Sequence, residues 1–158
     1  MPTIQLETII DADIKICFDL SRSIDLHQIS TAKTNEKAIA GVTAGLINLN
    51  DTVTWEAVHF GIKQQLTSII TQFENPIHFR DEQQKGAFKY FFHDHYFKSQ
   101  NGKVIMTDRF EFYSPYGIIG KLFDKLILTS YMKSFLLERN QVIKEFAETD
   151  KWKKVLNS

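Results

Sequence analysis

Apolar and polar positions alternate over residues 3–10, where Ile4, Leu6 and Ile10 are interleaved with Thr3, Gln5 and Glu7. A period of two is that of a strand with one buried face, so the chain opens on a strand. Asp11-Ala12-Asp13 then offers capping carboxylates ahead of a short helix over 14–20, and a second helical piece covers 24–29. Residues 31–45 are small and polar and read as irregular or as a weak edge segment, and Asn48-Leu49-Asn50-Asp51 is a turn. Strand patterns follow at 52–60 and 63–73, with a tight turn at Gly61-Ile62 and a stop at Asn75-Pro76. A short extended piece covers 77–82, with Lys85-Gly86 in the next turn. Residues 88–98 and 103–113 form a hairpin through Ser99-Gln100-Asn101-Gly102, since Asn-Gly between two β-rich runs is the strongest short-range hairpin signal. From about Gly120 to Ala147 the period becomes helical, with Leu122, Leu126, Leu136, Ile143 and Ala147 forming the apolar stripe. Twenty-eight residues of helix are roughly 40 Å long, and packing across a curved antiparallel sheet is the way to bury one face of it.

Alternation also says which side chains share a face. With an even-numbered loop at Asn101-Gly102, Phe91, His93, His95 and Phe97 lie with Val104, Met106, Asp108, Phe110 and Phe112. The opposite face takes Tyr90, Phe92, Asp94 and Tyr96 with Arg109, Glu111 and Tyr113. The first face is the more continuously apolar, so it is assigned to the concave side beneath the helix. The preceding hairpin adds Val53, Trp55, Ala57 and His59 with Gln64, Leu66, Ser68 and Ile70. The facing of His78 and Arg80 is not fixed, because one residue more or less in the turn before residue 88 exchanges the faces; Glu82 could reach a pocket mouth.

The concavity is thus apolar with a few polar groups: His59, Ser68, His93, His95 and Asp108. A buried polar group needs a partner, and a cross-strand pair of Asp108 with His93 or His95 supplies one. Such a surface describes a ligand pocket, and equally a solid core with one satisfied polar pair. His93 and His95, with His59 and Asp108, could complete a four-ligand metal site, but strand His-x-His pairs are common without metal, and no metal is assigned.

Composition narrows the function classes. The 158 residues carry 19 Lys+Arg against 19 Asp+Glu, so a nucleic-acid partner, which calls for a basic excess, is not expected. The length suits a single domain over 1–158. Ten of the twenty aromatics fall between Phe88 and Tyr116, which places the aromatic excess in the predicted hairpin wall. Cys17 is the sole cysteine and sits among apolar residues, so it reads as core and leaves no internal disulfide. There is no signal-peptide pattern and no long apolar run, which gives the expectation of a soluble, cytoplasmic protein without stable membrane insertion. Gly117-Ile118-Ile119-Gly120 reads first as an internally packed helix entry, with a cavity mouth or a homodimer contact as the alternatives. The basic tail Lys151-Trp152-Lys153-Lys154 reads as a solvated helix end.

In element order the chain resembles the START-like (SRPBCC) superfamily, and more narrowly its small bacterial members of the polyketide cyclase/dehydrase kind. The likeness is carried by Asp51-Thr-Val-Thr-Trp-Glu-Ala-Val-His-Phe-Gly61, Phe79-Arg-Asp-Glu-Gln-Gln-Lys-Gly-Ala-Phe88, Phe92-His-Asp-His-Tyr-Phe97, Asp108-Arg-Phe-Glu-Phe-Tyr-Ser-Pro-Tyr-Gly117 and the C-terminal helix. The resemblance implies an α+β helix-grip fold, with six or seven antiparallel strands wrapped around the long helix and a cavity between them for a small hydrophobic molecule. Trp55, His59, Phe91, Phe97, Met106, Phe110 and Phe112 are the candidate ligand contacts. An enzyme of the cyclase/dehydratase type is the alternative, with His93 or His95 as acid or base and Asp108 as the orienting partner. No cofactor is expected, because neither a phosphate loop nor a dinucleotide fingerprint is present.

Overall fold

The computed structural model describes residues 2–156; positions 1, 157 and 158 of the expected 1–158 span lie outside that description. Strand β1 (Thr3–Ile10) is followed by helices α1 (Ile14–Ser21) and α2 (Ile24–Ser30) and a 3₁₀ turn at Ala32–Thr34. Six more strands follow: β2 (Lys37–Gly41), β3 (Thr52–His59), β4 (Ile62–Glu74), β5 (His78–Lys85), β6 (Tyr90–Gln100) and β7 (Lys103–Tyr113). The chain ends in α3 (Gly117–Phe123), a π-helical turn (Asp124–Leu128), α4 (Thr129–Glu148) and a short α5 (Trp152–Leu156). Among the described residues the strands form one antiparallel sheet in the order β1-β7-β6-β5-β4-β3-β2. This is the expected α+β arrangement, a curved antiparallel sheet with a long C-terminal helix and two short helices after the first strand.

Local chemistry sets the boundaries. The Asp13 side chain accepts from the backbone N–H of Lys15 and Ile16, and the Ser23 hydroxyl accepts from Leu26 N–H, so each short helix starts on a side-chain cap. Asn101 and Gly102 both have positive φ (54° and 76°), as a two-residue hairpin turn of the I′ kind requires. Its strands therefore run on to Gln100 and Lys103, and the loop is two residues rather than four. The turn expected at Gly61-Ile62 falls one residue earlier, on Phe60 and Gly61 (φ 52° and 73°), because Ile62 pairs with His59. The register places Val53 opposite Ser68, Trp55 opposite Leu66, Phe91 opposite Phe112 and His95 opposite Asp108, so the residues assigned to the concave face do share it.

Residues 31–45, read as irregular or as a weak edge segment, hold the edge strand β2, which pairs with β3 and carries a bulge between Ala38 and Ala40. Two expectations are corrected. The C-terminal helix begins at Gly117 and is interrupted by the π turn. A π turn inserts a residue into the helical repeat, so the inward stripe of α4 does not continue in phase before it. Leu136, Ile143 and Ala147 are buried as expected, Leu122 and Leu126 are exposed, and Leu128 takes the buried position. Gly117–Gly120 does not pack internally, since Ile118 and Ile119 are exposed.

The interior divides into two apolar clusters. One gathers α1, α2, the middle of the sheet and the end of α4 around Phe18, Phe97, Met106 and Ile143; the other joins Ile4, Leu6, Phe91, Phe110 and Phe112 to Leu128 and Leu136. Cys17 belongs to the first, and burial together with the Asp13 charge pushes its thiol up to about 12, an inert core residue. Phe18 meets the rings of Phe73, Phe79 and Phe97 edge-on at centroid distances of 5.4 Å. With no exposed surface to relax into, Phe18→Ala should cost about 3–5 kcal/mol, measured as a loss of stability in urea unfolding.

Candidate functional site

The concave face of the sheet and α4 do not close on each other. They enclose a cavity of about 790 Å³ whose walls include Trp55, Ile70, Phe79, Phe91, Phe110 and Leu136. The exposed side chains of Phe60, Tyr116 and Ile119 also line it, and they mark the side on which it reaches solvent. Phe60 holds its positive φ while its ring lies 4.6 Å from that of Tyr131.

Two polar clusters interrupt the apolar lining. In the first, His93 and His95 point into the cavity from β6, Asp81 points in from β5 and Arg139 from α4. Asp108 of β7 lies behind the imidazoles with no exposed surface. Its Oδ1 is 2.8 Å from His93 Nε2, and its Oδ2 accepts from Asn140 Nδ2 at 2.6 Å. Asp81 Oδ2 is 3.0 Å from His95 Nε2 and 3.9 Å from His93 Nδ1. Arg139 donates to Asn140 Oδ1 and to the Ser21 carbonyl, at 3.1 and 3.0 Å, and stands 3.7 Å from Asp108 Oδ1. His95 Nδ1 lies 3.4 Å from Asp108 Oδ1, outside hydrogen-bonding geometry, and is buried without another partner.

The environment separates these groups electrostatically. Burial acts to raise the carboxyl of Asp108, but hydrogen bonds and charge from His93 and His95 outweigh it and hold Asp108 well below the ordinary carboxylate range. Asp81, which is partly buried, is likewise lowered: desolvation acts to raise it, and His95 and His93 outweigh that. Burial and the neighbouring His95 depress His93, whereas for His95 the carboxylates of Asp108 and Asp81 overcome burial and raise the pKa. An imidazole backed by a carboxylate and facing an apolar-walled cavity can exchange a proton with a molecule held there.

The second cluster was not foreseen. Glu36, in the segment before β2, sits 2.5 Å from His27 Nε2 and 3.6 Å from His59 Nε2. His59 Nδ1 is 2.6 Å from the Tyr131 hydroxyl, and the His27 ring packs on Trp55 with centroids 4.2 Å apart. Burial would raise the Glu36 carboxyl, but the charges and hydrogen bonds of His27 and His59 prevail and hold it at about 2. Burial, and then the Glu36 charge, raises Tyr131.

Of the sequence candidates, Trp55, His59, Phe91, His93, His95 and Phe110 line the cavity. His59 belongs to the Glu36 cluster and not to the His93 cluster. Phe97, Met106 and Phe112 are buried in the packed clusters and lie off the cavity wall. Asp108 acts from behind the wall. His78 and Arg80 turn to the convex face, where both bind Asp94 (2.7–2.8 Å), and Glu82 shares their face. Asp81 therefore takes the inward place. Arg139 and Asn140 could have been found from their spacing, since they lie three and four residues after Leu136 and precede Ile143 on the buried stripe.

No family model matches the chain, and no curated protein matches it. Solved structures do. TTHA0849 from Thermus thermophilus is similar at a TM-score of 0.70 and 15% identity, covering 90% of this chain and 97% of that one. Ginseng major latex-like protein 151 from Panax ginseng aligns at 0.70 and 15% identity, over 94% and 98% of the two chains. Protein CV1439 from Chromobacterium violaceum aligns at 0.69 and 10% identity, with the same coverage. Among the described residues no helix is long and apolar enough to cross a membrane.

The Glu36 cluster generates a pH prediction. A carboxyl held at about 2, against an ordinary 4.5, stabilises the folded state above pH 4.5. That contribution is lost as the pH falls from 4.5 towards 2, when the carboxylate facing His27, His59 and Tyr131 is protonated. Glu36→Gln should therefore lower the urea midpoint at pH 5, and the gap to the unmodified protein should shrink towards pH 2.

Proposed function

We propose that the protein binds one small, largely apolar molecule of lipid-like or polyketide-like character in the cavity beneath α4, with any polar end directed at Asp81 and His93. The observation that carries this reading is a cavity of about 790 Å³, walled mainly by aromatic and aliphatic side chains, with its charged groups gathered in two clusters and at Arg22, which is held by Asp19. That size lies within the range of small-molecule sites, and that mixture of walls and polar points is their usual composition.

Energetics favour an apolar occupant. Covering about 200 Å² of apolar ligand surface contributes on the order of 5 kcal/mol before the costs of association, so micromolar binding needs only one or two hydrogen bonds more. Asp81 accepts, Arg139 donates, and His93 Nδ1 faces the same space, so an amide, hydroxyl or carbonyl group would find a partner at the cavity floor. The zero net charge gives no long-range pull on a polyanion. The family resemblance of the sequence agrees with this class of ligand.

Ala57 provides the test, since it lines the cavity from β3 as a small side chain. The protein should bind the fluorescent probe 1-anilinonaphthalene-8-sulfonate with micromolar affinity, with Trp55 emission quenched by energy transfer. Ala57→Phe fills the space and should weaken binding at least tenfold while the urea midpoint stays near that of the unmodified protein. Equal affinity in the two proteins would place the probe elsewhere and overturn the reading. Mass spectrometry of the denatured protein should in addition release a co-purified apolar molecule.

A further inference from the structure

We propose that Asp81, His93 and His95 form a binding site for one divalent transition-metal ion at the cavity floor, with the remaining coordination positions open to the cavity. The sheet builds the site directly. Asp81 lies opposite His93 in the β5–β6 register, and His95 follows on the same face two residues later. One ligand atom from each of the three residues lies within 4.8 Å of the other two. Asp81 Oδ2 is 3.0 Å from His95 Nε2 and 3.9 Å from His93 Nδ1. Bonds of 2.0–2.2 Å at tetrahedral angles separate ligand atoms by about 3.4 Å, so these distances bracket what an ion needs.

The outer side of the cluster is organised as a metal centre requires. A ligating histidine fixes its tautomer by donating from its other ring nitrogen, commonly to a carboxylate. Asp108 Oδ1 is 2.8 Å from His93 Nε2, which leaves the Nδ1 lone pair facing Asp81. The same oxygen is 3.4 Å from His95 Nδ1, the buried nitrogen that has no hydrogen-bond partner. A small rotation of the His95 ring towards an ion would let that N–H donate to Asp108. One carboxylate would then orient both imidazoles.

Charge and ligand type define the occupant. Asp81 and Asp108 outnumber the Arg139 guanidinium, which is itself anchored to Asn140 and Ser21, so the pocket carries a net negative charge when both imidazoles are neutral. Two imidazoles and one carboxylate suit Zn²⁺ or Fe²⁺ and not the all-oxygen preference of Ca²⁺ or Mg²⁺. Three protein ligands leave at least one position for water or for a polar atom of a molecule in the cavity. The inference does not depend on the apolar occupant proposed above.

The test is a Zn²⁺ titration of chelator-treated protein in the absence of any apolar probe, with Co²⁺ as the visible-absorbing substitute. One Zn²⁺ per chain should bind at micromolar or tighter affinity, and Asp81→Asn and His95→Gln should each weaken it at least tenfold. Glu36→Gln should leave it unchanged, since His27 and His59 form a separate cluster. If a histidine variant does not fold, imidazole ¹H–¹⁵N spectra of the unmodified protein give the answer: Zn²⁺ should shift His93 and His95 resonances and not those of His27 and His59. Absence of stoichiometric binding, unchanged His93 and His95 resonances, or loss of binding in Glu36→Gln but not in Asp81→Asn would overturn the proposal. Probe binding in the metal-free protein reads the apolar cavity separately.

Discussion

Asp108 is a carboxylate with no solvent contact, and a charge in that position is tolerated only where the protein replaces the water it has lost. The replacement comes from three directions: His93 on the neighbouring strand, Asn140 on α4, and Arg139 nearby, which also holds the end of α1 through the Ser21 carbonyl. The centre of the sheet, the long helix and the first helix are therefore tied through one anion. Removing any partner leaves a buried charge exposed to an apolar surround, which is far more destabilising than the net worth of the bond itself. The helix is fastened at its buried polar pair and spaced from the sheet by side-chain length, and the cavity is the space that remains beside this tie.

That arrangement explains why an open interior can coexist with a well-packed one. The Phe18 cluster and the Phe112 cluster are filled with side chains, and the lining of the cavity is shared between strands and α4. The charged and imidazole side chains of the two clusters are held by neighbours before any ligand arrives, so binding need not order them first. The Glu36 cluster does the same for His59 and Tyr131.

Much of this was legible in the sequence where a turn could be counted. Asn101-Gly102 sets a two-residue loop, and from it the faces of Phe91, His93, His95, Asp108 and Phe110 follow by alternation. Where no turn could be counted, the reading stopped. Asp81 was missed because the link after β5 has no residue signature that fixes its length, so its face could not be assigned. Glu36 was missed because its segment looks irregular, and its role exists only through His27 on α2 and His59 on β3, which only the folded chain brings to it. Alternation separates sides of a sheet but says nothing of depth. For that reason Phe97 and Met106, on the correct face, lie in packed core, and Leu122 and Leu126 lost their inward phase to a π turn that composition does not announce.

The sheet order has a consequence for how the chain assembles. Among the described residues β1 pairs with β7 alone, Ile4 meeting Phe110 and Leu6 meeting Asp108, so this strand finds its partner only after about a hundred further residues have been made. Every hairpin from β3 to β7 can close on local contacts first, whereas β1 must close a loop spanning most of the chain. Until β7 arrives, the free edge of β1 with its Ile4 and Leu6 is an unpaired apolar strand, the sort of segment that synthesis leaves open to chaperones and to mispairing. β1 is thus the strand whose docking completes this end of the sheet.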